Sequence, residues 1–201
     1  MWKAYLTKKR NRIILGVSVA ALCLTLFCFL HFLTFNESRV GFIFHDPLLS
    51  SFAPVDISII TFIITYSLAL SGIIIALQTP VLFLRLLQAY MIMTLIRIAC
   101  LYFLPLEPPA DIIPLYDLLL KFSFYSGRDN LKDLFFSGHT AAIFLFAFVF
   151  EKRSLKIIFT IGSVLVGMCV LLQHVHYSID VIVAPVVSWI SVKIQEKIGF
   201  V

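Results

Sequence analysis

Charge is scarce in this chain. Asp, Glu, Lys and Arg make up 13% of its 201 residues, well below the roughly 25% usual in soluble globular domains, and that excludes such a domain. Cys23, Cys28, Cys100 and Cys169 all fall inside apolar runs, with neither a CxxC pair nor a Cys/His spacing, so they read as small buried hydrophobes rather than a metal or redox centre. Internal repeats and low-complexity stretches are missing. The formal charge of +5 arises from short clusters between apolar runs, without the continuous basic face that a nucleic-acid partner needs.

What the chain has instead is apolar length. It is 61% hydrophobic with a mean hydropathy of +1.01. Runs long enough to cross about 30 Å of hydrocarbon cover approximately 13–34, 57–77, 81–104, 140–150 with its flanks, 155–172 and 177–192. The fold expected is an all-α integral membrane protein, a six-transmembrane-helix bundle forming one domain over residues 1–201, with no room for a second soluble domain. The first run follows Lys8, Lys9, Arg10 and Arg12 but exceeds the roughly 7–15 residues of a signal h-region, so it reads as an uncleaved span. The fourth is short and must extend back through Phe135 to His139 if it is to span, which places Ser137 and His139 near a helix N-terminus.

Orientation follows from the basic residues. With both termini cytoplasmic, Lys3, Lys8, Lys9, Arg10, Arg12, Arg85, Lys152, Arg153, Lys156, Lys193 and Lys197 are inside, eleven of the sixteen. Every acid except Glu151 and Glu196 then lies outside, as does the longest loop, 105–136, whose apolar stretch 115–124 suits the membrane interface. The inner halves of the spans read as aliphatic or aromatic. Polar chemistry is therefore expected on the periplasmic, lumenal or extracellular side.

Two motifs open spans on that side: Ser137-Gly138-His139, and His174-Val175-His176-Tyr177-Ser178-Ile179-Asp180. His176 and Asp180 are four apart, so on a helix the carboxylate can fix the imidazole's tautomer. His139 could face His176 across the bundle, giving one imidazole as nucleophile and another as proton donor in phosphoryl transfer. A helix start at Ser137 and Gly138 offers backbone N–H groups and a positive dipole end to a phosphate, and glycine lets a ligand come close. Arg97, within the outer half of the third span, carries a charge that costs at least about 2.5–3.5 kcal/mol unpaired, so it needs a partner or a substrate. A structural reading pairs it with Asp180 or Asp56. Arg85 reads as snorkelling to headgroups, while His31, His45 and His174, taken singly, read as interfacial or capping residues.

These residues carry a family resemblance that covers most of the chain. Asp133-Leu134-Phe135-Phe136-Ser137-Gly138-His139-Thr140 resembles the third signature of the sphingomyelin synthase branch of the lipid phosphatase and phosphotransferase superfamily, which is related to the type 2 phosphatidic acid phosphatases (PAP2). His174 to Asp180 with Val181-Ile182 resembles its fourth. Arg85 and Arg97, followed by Leu104-Pro105-Leu106, are similar to its paired-arginine segment, and Asp46-Pro47 and Pro54-Val55-Asp56 more weakly to its first motif. The resemblance implies a six-span bundle acting on a membrane phospholipid headgroup. Its triad lands on His139, His176 and Asp180, with Arg97, Ser137, Gly138 and His174 binding substrate and neither cofactor nor metal required. His176 would attack the phosphate, His139 would protonate the departing alcohol, and the phosphohistidine would pass to a lipid hydroxyl, such as that of ceramide or diacylglycerol, or to water. Val175 stands where the family often has an acid, and Leu131-Lys132 where it has Cys-Gly, so headgroup and acceptor stay open. Two other readings remain: a non-enzymatic lipid transporter with a polar path through the bundle, and a pseudoenzyme that only binds headgroups.

Overall fold

The computed structural model describes residues 1–115 and 130–199. Those residues form seven α-helices: α1 (Trp2–Leu6), α2 (Lys9–Glu37), α3 (Ser58–Ala76), α4 (Pro80–Phe103), α5 (Gly138–Val149), α6 (Arg153–Leu172) and α7 (Ser178–Ile198). Five of them, α2, α3, α4, α6 and α7, are long and apolar enough to cross a membrane, which makes this a multi-pass membrane protein. Most of the expected interfacial stretch 115–124 lies outside the described residues.

The fourth segment departs from expectation. It does not extend back through Phe135: α5 starts at Gly138 with Ser137 as N-cap and has 12 residues, roughly 18 Å at 1.5 Å per residue. Its apolar content serves a different purpose. Ala141, Ile143 and Leu145 are fully buried, and α5 packs on α3, α4, α6 and α7, so it is the axis of the bundle rather than a lipid-facing span. Irregular backbone leading into such a short helix is tolerated at membrane depth only where protein surrounds it. Phe136 and Leu134, 0% and 1% exposed, meet that condition. At the other end of α5, the rings of Phe146, Phe150 and Phe159 meet with centroids 5.2–5.8 Å apart. Gly72 of α3 leaves the space that the Phe146 ring fills.

By contrast, α2 buries only Ser18, Thr25, Leu33 and Asn36, a narrow seam on the helix that packs along α4. The inner halves are more polar than their runs suggest, because Gln88 Nε2 donates to Ser18 Oγ at 3.0 Å and Gln195 Nε2 to Gln88 Oε1 at 3.1 Å, tying α2, α4 and α7 together. Both termini lie at one end of the bundle. The Trp2 indole donates to the Leu77 carbonyl at 2.6 Å, and Arg85 pairs with Glu196 near the end of α7. Arg85 also binds Glu151, so the two acids read as exceptions to the charge pattern are its partners, in place of lipid phosphates.

Candidate active site

At the opposite end the starts of α5 and α7 are joined. The N–H of Ser137 donates to the carbonyl of Asp180 at 3.1 Å, so the Ser-Gly-His motif and the His-to-Asp motif, far apart in sequence, are held on each other by a main-chain bond. The first intrahelical bond of α5 runs from the Ala141 N–H to the Ser137 carbonyl, which leaves the first turn's N–H groups and the dipole's positive end directed out of the helix at this junction. Ser137 is fully buried and its hydroxyl lies 3.0 Å from that of Thr140. His139, the second residue of α5, is half-buried beside it.

Asp180 is the third residue of α7 and completely buried. Its Oδ2 accepts the Tyr177 N–H at 3.0 Å, as a helix cap, and lies 3.4 Å from Nδ1 of His176, itself 2% exposed. That separation is long for a hydrogen bond, and catalytic contacts commonly tighten only once substrate is bound. Oδ1 of Asp180 is buried with no hydrogen-bond partner.

The carboxylate of Arg97 is Asp133, and not Asp180 or Asp56. Arg97 Nε and Nη2 both donate to Asp133 Oδ1, at 3.0 and 2.8 Å. Asp56 instead caps α3 by accepting the N–H and hydroxyl of Ser58. Helical side chains lean toward the helix N-terminus, so the Arg97 guanidinium reaches from near the end of α4 down to the level of the α5 start. It lies between the rings of Phe29 and Phe136, 5.8 and 5.6 Å from their centroids, and directly on Gly138, where any Cβ would collide with it. The bareness of Gly138 thus admits Arg97. Nη1, the group pressed against Gly138, is buried without a hydrogen-bond partner. A buried cation with one donor unused, over a helix N-terminus, is an arrangement suited to an anionic oxygen.

His174 is placed differently. It ends α6 with φ 55°, donating its N–H to Leu171 while Val175 donates to Val170, the two bonds of a Schellman turn whose left-handed position usually holds glycine. A β-carbon there costs on the order of 1–2 kcal/mol. The ring packs edge-on against Phe52 at 5.1 Å, is 4% exposed and has Nε2 unpartnered. It faces a pocket of about 680 Å³ whose lining also includes Phe44, Asp46, Glu107, Asp111 and Tyr177. His45 lies on the exposed rim of that pocket, and His31 is on the outer surface of α2.

Sequence reasoning gave no structural role to two contributors, Glu107 and Asp46, the latter noted only within a weak motif match. Glu107 collects the N–H of Gly41 at 2.7 Å and the Lys132 ammonium at 2.9 Å, which hold its carboxyl below the ordinary glutamate range and tie the segment before α5 to the α2–α3 connection. Asp46 accepts the Ser178 N–H at 2.6 Å. Burial opposes its charged form, but the N–H and hydroxyl of Ser178 and the N–H groups of Leu49 and Leu48 outweigh it, and its carboxyl stays below the ordinary aspartate value. Neither role can be read from sequence, since each works through a partner far along the chain.

No curated protein and no solved structure matches the chain. Residues 132–197 match the family model described as PAP2 superfamily C-terminal. The matched stretch holds Asp133, His139, His176 and Asp180 and leaves out Arg97 and Asp46; over it, the chain is similar to the PAP2 superfamily.

Proposed function

We propose that the protein is a membrane lipid phosphatase or phosphotransferase, a single six-span domain in which α5 serves as the fourth segment and both termini are cytoplasmic. The observation that carries this reading is the junction of the α5 and α7 starts, with the unused Arg97 donor above it. His176 is the nucleophile, attacking the phosphorus of a phospholipid headgroup through Nε2 while Asp180 holds Nδ1. His139 protonates the departing oxygen and then takes the proton from the acceptor, a lipid hydroxyl or water. Arg97 and the N–H groups of the Gly138 turn hold the equatorial oxygens, on which charge builds. His174 lies in the pocket where the remainder of the headgroup would rest. The site faces the non-cytoplasmic side, because the eleven basic residues expected inside belong to the other end.

The test is incubation of the purified protein with labelled phospholipids, with and without ceramide or diacylglycerol. Free phosphate or phosphocholine indicates hydrolysis, and a new phospholipid made at the acceptor's expense indicates transfer. Movement of intact lipid between leaflets with no product would replace this reading with the transporter one. The buried Ser18, Gln88 and Gln195 are the observation in that reading's favour, but they bond to one another, as a structural lock does.

A further inference from the structure

Asp46 has no part in the proposed chemistry, yet its bond to Ser178, at 2.6 Å, is the shortest at the junction. It belongs to the connection between α2 and α3, is 4% exposed, and is fixed from its own side. Oδ1 accepts the N–H groups of Leu48 and Leu49 at 2.9 and 3.3 Å, and its main-chain carbonyl accepts from Ser50. Oδ2 reaches across to α7, where Ser178 is the first helical residue, between His176 and Asp180.

Of the N–H donors at the start of α7, Asp180 takes only that of Tyr177, through the oxygen nearest His176, and its other oxygen takes none. A helix leaves its first-turn N–H groups without intrahelical acceptors, and a carboxylate at the third position is drawn to them. Asp180 already serves Tyr177 with the oxygen that faces His176. Asp46 takes the next donor, Ser178. We propose that Asp46 is a positioning residue for the His176–Asp180 pair: by capping α7 from a separate segment, it fixes the turn that carries His176 and leaves Asp180 to hold the ring. This rests on the catalytic reading above.

The bond can be removed from either side. Asp46→Ala deletes the acceptor. Ser178→Pro deletes the donor and suits the backbone, because proline is favoured at the first helical position and Tyr177, with φ −72° and ψ 157°, already has the extended conformation required before proline. With labelled phospholipid, and rates normalised to folded protein in detergent, each variant is expected to lower kcat on the order of tenfold with KM within about twofold, as when a catalytic group is misplaced rather than removed. Acting through one bond, they should not combine: the double variant falls within about twofold of the worse single, where independent sites would multiply to about a hundredfold. Asp46→Asn keeps one oxygen and should fall in between; if Asp46→Ala does not fold, Asp46→Asn and Ser178→Pro carry the comparison. Multiplying effects overturn the proposal, as does an unchanged kcat, or a raised KM in the Asp46 variants alone, which makes Asp46 a substrate contact. Hydrogen exchange over residues 174–182 gives a readout independent of turnover. If the wild type turns over no phospholipid, the catalytic reading falls, and faster exchange in Asp46→Ala still upholds the clamp while unchanged exchange removes it.

Discussion

Two arginines twelve residues apart on α4 show what separates the two ends of this molecule. Arg85 lies at the end that holds the termini, 21% exposed, and spreads its guanidinium over two partners, Glu151 at 3.1 Å and Glu196 at 3.3 Å, the latter shared with Lys193. Arg97 lies at the other end, 6% exposed, between two phenyl rings, with a single carboxylate and one nitrogen that nothing satisfies. The first cluster is redundant and wet, so each of its contacts is worth little. The second is buried and unfinished, and a buried donor without a partner is costly enough to call for an explanation. In one helix the same side chain closes a structure at one end and leaves a valence open at the other.

The comparison can be broken most severely at the histidines. His176→Ala is expected to lower turnover by on the order of 10⁴-fold or more, and His139→Ala by about 10²–10⁴-fold, in protein that still inserts and elutes as a single folded species. Activity surviving in His176→Ala removes the nucleophile. Next come Arg97 and its seat. Arg97→Ala should cost about 10²–10³-fold in kcat/KM, the loss typical of an oxyanion donor, and Arg97→Lys should recover little because lysine lacks the planar fork. Gly138→Ala is expected to harm the wild type but to add almost nothing once Arg97→Ala is present; equal effects in both backgrounds would show that the glycine serves the ligand instead.

Smaller effects sharpen the contrast. Because the Glu107 carboxyl is held below its ordinary value by Gly41 and Lys132, the native state binds its proton less readily than the unfolded chain does. Its stabilisation is complete above the ordinary glutamate pKa and is lost as pH falls through the lowered native one. Melting temperature in detergent should decline across that acidic window, and Glu107→Gln should flatten part of the decline. Smallest of all, Arg85→Ala should leave turnover within about threefold of wild type and stability within about 1 kcal/mol, since its ion pairs are exposed.

The long spans were legible because a run of some 20 apolar residues has few other fates. The fourth segment was not, since a helix buried by its neighbours need not match the bilayer, and hydropathy cannot tell burial in protein from burial in lipid. The alternation of the spans placed both motifs at one end, and the Ser137–Asp180 bond joins them there. The partner of Arg97 could not be read in the same way. Asp56, Asp133 and Asp180 all lie toward that end, and only the path of the chain into α5 selects Asp133. The requirement for Gly138 was visible as a residue type, but its cause was a side chain forty-one positions earlier.

The brevity of α5 has one more consequence. Its rise of roughly 18 Å is about 12 Å less than the thickness of a hydrocarbon slab of about 30 Å. If the Glu151 end sits at one boundary, as the proposed six-span reading has it, the reaction takes place on a sunken floor and not on a surface shelf. At that depth solvent screening weakens and the attraction of Arg97 for phosphoryl oxygens strengthens.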